Sequence, residues 1–228
     1  MEKCVEKYPG LQYQPGTIRR WGRFRQLIRG FMRTQFGCPS GFWGTIIGLI
    51  MANARSNQER TRWTIAQLEL RPEDRVLEIG FGPGYAVAEA SRLAPNGFVA
   101  GVDHSDVMVR QAVKRNAEAV RNGKVDLKLG SASDLPSYDQ PFDKIFSINS
   151  IHFWTDPISC LGELRKRLKP GGLIAITLQP RSRGSSAQTT EAIGKELLAN
   201  LEQAGFNNLR LVFKQANPAP IACAMGRR

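Results

Sequence analysis

The chain has 228 residues, of which 42% are hydrophobic and 23% are charged, and this composition indicates a folded globular protein and excludes a largely disordered one. Its length suits a single hydrophobic core with an additional segment. The net charge of +12 is concentrated in residues 1–62, which contain 11 Lys and Arg against 3 acidic residues. The basic character therefore belongs to the N-terminal part of the chain.

Neither a metal site nor a transmembrane segment is expected from the sequence. The cysteines lie far apart, form no Cys-x-x-Cys pair and have no histidine beside them at metal-ligand spacing (Cys4, Cys38, Cys160, Cys223). We expect unpaired thiols in a reducing compartment. The longest apolar run, residues 42–52, has about half the length that a bilayer span requires. Residues 1–10 do not resemble a secretory signal, so a cytoplasmic location is predicted.

Helical periodicity begins close to the N-terminus. Residues 17–36 place apolar side chains near helical spacing with six arginines between them, which predicts a basic amphipathic helix. Two further helices are predicted at about residues 42–52 and 58–68. We therefore divide the chain into a basic helical appendage, residues 1–70, and a main domain, residues 71–228.

In the main domain, strand-like and helix-like segments alternate, which is typical of a parallel sheet with helices on both faces. The predicted strands are residues 75–79, 98–102, 125–129, 144–148, 173–178, 209–214 and 221–225. The predicted helices are residues 85–94, a segment from a Ser105 cap to about 122, a segment from Pro157 that ends at 169–172, and residues 190–203. The expected fold class is therefore α/β.

The first two predicted strands end in residues typical of a nucleoside site. A loop with Gly80, Gly82 and Gly84 follows the first strand, and Asp103 follows the second. Glycines let the backbone approach a ligand, and a carboxylate at the second strand can accept hydrogen bonds from two ribose hydroxyls. Tyr85 stands where a dinucleotide fingerprint has its last small residue, and no Lys-Ser/Thr pair follows the glycines. Both a pyrophosphate cofactor and a Walker A loop are therefore disfavoured.

Five segments then follow one another along the chain: EIGFGPG at 78–84, Asp103, GSASDLP at 130–136, FDKIFSINSIHFWTDP at 142–157 and LRKRLKPGG at 164–172. In order and spacing they resemble the motifs of the class I S-adenosylmethionine-dependent methyltransferases. The resemblance covers roughly residues 70–225. It is strongest to the small-molecule branch, methyltransferase type 11, which includes the ubiquinone and menaquinone methyltransferases.

The resemblance implies a Rossmann-like sheet of seven strands, mostly parallel, in which the closing hairpin supplies an antiparallel last strand. It also implies S-adenosylmethionine as the cofactor, with the glycine loop around its methionine part, Glu78 near the ammonium group and Asp103 on the ribose. The cofactor-binding residues that it implies are Glu78, Gly80, Phe81, Gly82, Gly84, Asp103, His104, Ser131, Ala132 and Asn149.

The predicted adenine contacts depart from the family pattern. Many relatives have an acidic residue directly after the position of Gly130, where this chain has Ser131. Either Ser131 or the backbone of Ala132 contacts the adenine, or these residues form a loop that binds no ligand. Asp134 is either a ligand or a surface turn residue. His104 lies either along the adenine edge or on an exposed loop.

The segment after the fourth strand, residues 149–154, is expected to face the transferred methyl group, because ligands gather at the carboxyl ends of such strands. His152 is the candidate general base, since its ordinary pKa is close to neutral pH. A role in packing or in the cofactor loop is the alternative. Phe153 and Trp154 are expected to form walls of the pocket.

The predicted reaction is an in-line displacement that moves a methyl group from sulfur to an O, C, N or S atom of a small acceptor, with lipophilic acceptors among the options. A general base is needed only where the acceptor must lose a proton. The resemblance implies that variable segments, chiefly residues 1–70 and 179–200, select the acceptor. We expect the basic appendage to cover the acceptor site.

Two other functional classes remain open. A nucleic-acid or protein methyltransferase is one, although NSIH stands after the fourth strand where many amino-group methyltransferases have an NPPY-type tetrapeptide. A non-catalytic cofactor-binding module is the other. The basic helix at 17–36 suits an anionic membrane surface, an acidic substrate or nucleic acid, or is solvated without a partner. Nucleic acid is the least favoured partner, because no recognised RNA-binding module accompanies the charge. The oligomeric state is not predicted.

Overall fold

The computed structural model of the protein describes residues 55–181 and 184–228. The predicted helices at 17–36 and about 42–52 lie outside these residues. The described strands are β1 Arg75–Ile79, β2 Phe98–Asp103, β3 Val125–Leu129, β4 Phe142–Ile148, β5 Leu168–Leu178, β6 Asn207–Lys214 and β7 Ile221–Arg227. The described helices are α1 Arg55–Leu68, α2 Tyr85–Leu93, α3 Asp106–Arg115, α4 Ala117–Arg121, α5 Pro157–Arg167 and α6 Ala187–Gln203, with a 3₁₀ turn at Ile151–Phe153.

The strands form one sheet in the order β3-β2-β1-β4-β5-β7-β6. Neighbouring strands from β3 to β5 pair in parallel, whereas β7 runs antiparallel to both β5 and β6. The strand order reverses between β1 and β4, the point at which ligands bind in open α/β sheets. The predicted seven-stranded, mostly parallel sheet with an antiparallel last strand is confirmed.

Two hydrophobic cores cover the two faces of the sheet. Successive strand residues point to opposite faces, so Val76 packs in one core and Leu77 in the other. One core joins the sheet to α1 and α2, the other to α5 and α6. Helices therefore lie on both faces, as predicted, and the strand ends between the two layers are open to a ligand.

Helix α1 packs directly on the sheet. Its residues Ile65 and Leu68 are buried in the core, and the Thr64 and Thr177 hydroxyls are hydrogen bonded at 3.0 Å. Residues 55–68 thus form part of the layer that covers the sheet. The rest of the proposed appendage lies outside the described residues, and the division of the chain at residue 70 stays a prediction.

The helix predicted from Ser105 to about 122 is divided into α3 and α4, so this prediction was wrong in its length. Asn116 interrupts it, because its side-chain amide donates to Ala112 O at 2.8 Å and to Gly84 O at 3.1 Å. These bonds end α3 and join it to the glycine loop. A local backbone competition of this kind is typical of Asn.

The start of β5 also differs from the prediction, which ended the preceding helix at residues 169–172 and began the strand at residue 173. The strand begins at Leu168, which pairs with Phe142. The amide of Gly171 donates to Arg228 O at 3.2 Å, and Arg228 N donates to Gly172 O at 3.0 Å. Pairing with the end of the chain extends the strand through a segment whose Pro and Gly residues indicate a turn. Most other boundaries shift by one to three residues.

Candidate active site

A cavity of about 930 Å³ lies at the carboxyl ends of β1, β2 and β4, between the sheet, α1 and α6. Among the predicted site residues, only Gly84 does not line it. Asp134, the alternative adenine ligand, is also absent from its wall. The structure therefore brings residues from seven segments of the sequence to one place.

The three loop glycines have different surroundings. A Cβ on Gly80 would lie 2.4 Å from Ser150 Cβ, and a Cβ on Gly84 would lie 2.6 Å from Ala112 Cβ. These two glycines allow protein segments to pack closely. Gly82 has a positive φ of 53°, and a Cβ there would meet nothing within 4 Å. Gly82 thus faces open space at the cavity, where a ligand can approach the backbone.

Asp103 connects the glycine loop to the end of β2. Its Oδ2 accepts a hydrogen bond from Gly82 N at 2.8 Å, and its Oδ1 accepts one from Ser105 N at 2.9 Å. The residue is only 5% exposed, and burial raises the pKa of its carboxyl group. His104 lies beside it, with Nδ1 3.8 Å from Asp103 Oδ1.

Glu78 is the most deeply buried acidic residue of the cavity wall. It is 2% exposed, and its Oε2 has no hydrogen-bond partner in the part of the chain that the structure describes. Burial, and then the charge of Asp103, raise the pKa of this carboxyl group well above its usual range. An unpartnered buried carboxylate oxygen is costly unless a donor or a cation binds it. Phe81 lines the cavity nearby while its ring fills the space beside Gly101.

The turn after β4 is held by two neighbouring residues. Asn149 has a positive φ of 54°, and its Oδ1 accepts a hydrogen bond from Gln179 N at 2.8 Å. Ser150 Oγ donates to Ile79 O at 3.0 Å and accepts from Trp154 Nε1 at 3.1 Å. Ser150 was not predicted as a site residue, because its position under the glycine loop depends on β1 and β4 pairing.

His152 lies in the 3₁₀ turn and is exposed at the cavity. Its ring centroid lies 4.0 Å from that of Phe153, and partial desolvation lowers the pKa of its imidazole below the ordinary 6.5. The neutral form is therefore the main one at pH 7. Phe153 also lies near His104, with ring centroids 6.3 Å apart.

Ser131 and Ala132 lie in a tight turn after β3. Ser131 and Asp134 exchange two backbone hydrogen bonds, of 3.4 and 3.2 Å, and Ser131 Oγ lies 3.0 Å from Ser133 Oγ. This pairing turns Ser131 and Ala132 towards the cavity.

A basic group on the opposite wall was missed by the sequence analysis. Arg60 is 6% exposed, and its Nη1 donates to Gln179 Oε1 at 2.7 Å. Its Nη2 and Arg181 Nη2 both donate to Asn57 Oδ1, at 2.9 and 2.7 Å. We name Asn57, Arg60 and Arg181 the arginine cluster. No sequence motif marks this cluster, because its bonds join α1 to the segment after β5. Arg60 and Gln179 are 119 residues apart in the sequence, and Asn57 and Arg181 are 124 residues apart.

Comparisons with known proteins identify the family. The family model described as a methyltransferase domain matches residues 76–172. YdaC, an uncharacterized methyltransferase of Bacillus subtilis strain 168, is 34% identical over 183 residues, which are 80% of this chain and 98% of that protein. The chain belongs to the class I S-adenosylmethionine-dependent methyltransferases. The family assignment made from the motifs is confirmed.

Two further matches place this methyltransferase among its relatives. A demethylmenaquinone methyltransferase of Symbiobacterium thermophilum is 34% identical over 109 residues, which are 47% of this chain and 43% of that protein. A crystal structure of a methyltransferase from Aquifex aeolicus that depends on S-adenosylmethionine has a TM-score of 0.60, with 21% identity over 73% of this chain and 88% of that one. The latter match shows the shared fold.

The cofactor of the methyltransferase is S-adenosylmethionine, and the cavity suits it. The unpartnered oxygen of Glu78 offers an acceptor to a cationic group, and the open face of Gly82 offers access to backbone. In the part of the chain that the structure describes, no group of three or more His, Cys, Asp or Glu residues could hold a metal ion. Within the same residues, every helix falls short of the length and apolarity of a bilayer span.

Proposed function

We propose that the methyltransferase moves the methyl group of S-adenosylmethionine to an O, C, N or S atom of a small molecule. The observation that carries this proposal is the cavity, whose volume of about 930 Å³ lies in the range of small-molecule sites, about 300–1,000 Å³. Beyond the strand ends its wall includes Leu178, Ile193 and Leu197, which suit an apolar acceptor. The similarity to a demethylmenaquinone methyltransferase supports the same class of acceptor.

In this proposal the acidic wall holds the cofactor. Asp103 accepts hydrogen bonds from the ribose hydroxyls, Glu78 binds the ammonium group, and the Gly82 backbone lies against the methionine part. Ser131 and Ala132 border the adenine, with His104 at its edge and Asn149 below the methionine part. The bound cofactor supplies a methyl group on a positively charged sulfur, which a nucleophile can displace.

The protein then has to align the acceptor with the methyl group and exclude water. Alignment of this kind can lower a barrier by about 7–11 kcal/mol. Phe153 and Trp154 form a wall beside the strand ends and limit the acceptor's orientations. We propose His152 as the general base for acceptors that must lose a proton, since its lowered pKa keeps the imidazole neutral at pH 7.

Residues 1–54 enter the proposal through their sequence alone. We propose that they cover the acceptor site, that the basic residues 17–36 contact an anionic membrane surface, and that the protein acts in the cytoplasm. Flotation with vesicles that contain anionic lipid, compared with neutral vesicles, measures the membrane contact. Equal recovery with both kinds of vesicle would contradict it.

Transfer of a tritiated methyl group tests the class of acceptor. The protein is incubated with labelled S-adenosylmethionine and a cell extract, and the extract is then separated into a small-molecule filtrate and macromolecules. We expect label in the filtrate, and none with the Asp103→Ala variant as control. Label confined to RNA or protein would contradict the proposal. Cofactor binding without transfer of label to any fraction would point to a non-catalytic module.

A further inference from the structure

Among the residues that the structure describes, none supplies a balancing negative charge to the arginine cluster. In the described residues, no carboxylate lies within 4.0 Å of Arg60 or Arg181. Glu196 also lines the cavity and pairs with neither arginine. The bonded partners of both guanidinium groups are the neutral amide oxygens of Asn57 and Gln179.

The arrangement brings two like charges together. Because both Nη2 atoms donate to the same oxygen of Asn57, they are no farther apart than the sum of the two bond lengths. Burial, and then the charge of Arg181, lower the pKa of Arg60 to about 9, so the guanidinium still carries its charge at neutral pH. A buried charge next to a like charge is unfavourable unless a counter-ion is present.

One donor of this cluster is still available. Arg60 Nε is buried and has no hydrogen-bond partner among residues 55–181 and 184–228, although the residue is only 6% exposed. Buried polar atoms are normally paired, and an unpaired one suggests a missing ligand. Arg181 is exposed at the mouth of the same cavity, so a ligand can reach the cluster from solvent.

We propose that Arg60 and Arg181, held by Asn57 and Gln179, bind an anionic group of the methyl acceptor, a carboxylate, sulfate or phosphate. This inference rests on the proposed function and narrows it. Planar guanidinium groups bind such oxyanions through paired, charge-assisted hydrogen bonds. The neighbouring apolar wall at Leu178 and Ile193 suits the rest of the molecule. The acceptor class is therefore a small amphiphile with an apolar body and one acidic group.

The carboxylate of the cofactor's methionine part is a second source of the same chemistry. The charges in the cavity favour the acceptor. Glu78, the proposed partner of the cofactor's ammonium group, and Asp103 lie at the ends of β1 and β2, whereas Arg60 lies on α1 and Arg181 follows β5. The acidic and basic residues thus form two separate electrostatic groups.

Calorimetric titration with benzoate and benzamide tests the inference, because the two probes share a shape and differ in charge. The protein is first loaded with S-adenosylhomocysteine. We expect benzoate to bind at least about tenfold more tightly than benzamide, and Arg181→Gln to remove about tenfold of the benzoate affinity. Arg60→Gln is expected to act in the same direction, but its buried side chain also supports the fold, so the exposed Arg181 carries the test.

Arg62→Gln is the matched control, since Arg62 lies on the same helix, outside the cavity, and pairs with Glu89. It should leave benzoate binding unchanged. Equal affinities for benzoate and benzamide, or no benzoate binding at all, would overturn the anion site while S-adenosylhomocysteine binding upholds the proposed function. Absence of S-adenosylhomocysteine binding to the wild-type protein would overturn both.

A separate titration tests the alternative that the cluster binds the carboxylate of the cofactor. If Arg181→Gln weakens S-adenosylhomocysteine about tenfold and leaves 5′-methylthioadenosine unchanged, the cluster binds the cofactor's carboxylate, and the inference is overturned. Unchanged affinity for both nucleosides, together with the loss of benzoate affinity, supports an acceptor site.

Discussion

The two walls of the cavity differ in how they are built. The acidic wall consists of Glu78 and Asp103 at adjacent strand ends, and backbone amides of the loops that follow these strands donate to Asp103. The basic wall consists of Arg60 and Arg181, held by side chains from segments more than 100 residues apart. The acidic wall is therefore formed by two neighbouring strands and their loops, whereas the basic wall forms only once the whole domain has folded.

We propose that this difference separates two tasks. A cofactor common to a large family can be bound by a local motif, whereas an acceptor particular to one enzyme needs side chains that vary without disturbing that motif. If the comparison is right, variants of the acidic wall change cofactor affinity, and variants of the basic wall change the affinity for an anionic probe. The four predictions below test this separation.

Asp103→Ala should have the largest effect on the acidic wall. Loss of two charge-assisted hydrogen bonds to the ribose is expected to weaken S-adenosylhomocysteine about 100-fold or more, as measured by calorimetry. NAD should not bind either protein. Benzoate affinity should stay unchanged, and an equal loss for benzoate would show that the two walls are not independent.

His152→Asn tests the junction between the walls. If His152 is the base, the rate of methyl transfer falls about 100-fold while cofactor affinity is unchanged. The base must be neutral, and its pKa is lowered below 6.5, so the wild-type rate should be constant above pH 6.5 and decline below the lowered pKa. An unchanged rate in the variant would assign His152 to packing.

Gly82→Ala and Gly84→Ala sharpen the distinction between binding and folding inside the loop. Gly82 faces open space, so its variant should lose about tenfold in cofactor affinity and only about 1–2 kcal/mol of stability. A Cβ on Gly84 would lie 2.6 Å from Ala112 Cβ, so the Gly84 variant should lose more stability than the Gly82 variant. Denaturant unfolding and calorimetry on both proteins measure the two effects, and the reverse order would contradict the assignment.

Glu78→Gln should have the smallest effect, and one of opposite sign on stability. The pKa of Glu78 is raised on folding, so its charged form opposes folding above that raised pKa, and the opposition disappears below the usual 4.5. The variant without cofactor should therefore melt higher than wild type at pH 8, by about 2–4 °C for each kcal/mol relieved, and equally at low pH. A lower melting temperature at pH 8 would show that Glu78 stabilises the loop.

The sequence was sufficient for the class of sheet and for the position of Glu78 and Asp103 at strand ends, because buried strands, glycine loops and a carboxylate after a strand are recognisable in short segments. It was insufficient where distant segments meet. Asn116 divides a continuous helical pattern through a bond to Gly84, and Leu168–Gly172 is extended by the end of the chain. The positions of Ser150 and of the arginine cluster also depend on contacts between segments that are distant in the sequence.

Gln179 joins three separate parts of the described structure. Its side chain accepts from Arg60 at 2.7 Å and donates to Ala219 O at 2.9 Å, and its backbone amide donates to Asn149. The connection between the last two strands is thereby linked mechanically to the arginine cluster, which we propose as part of the acceptor site. Alterations near the C-terminus, such as a fused tag or a trimmed hairpin, should therefore change which molecules are methylated before they affect retention of the cofactor.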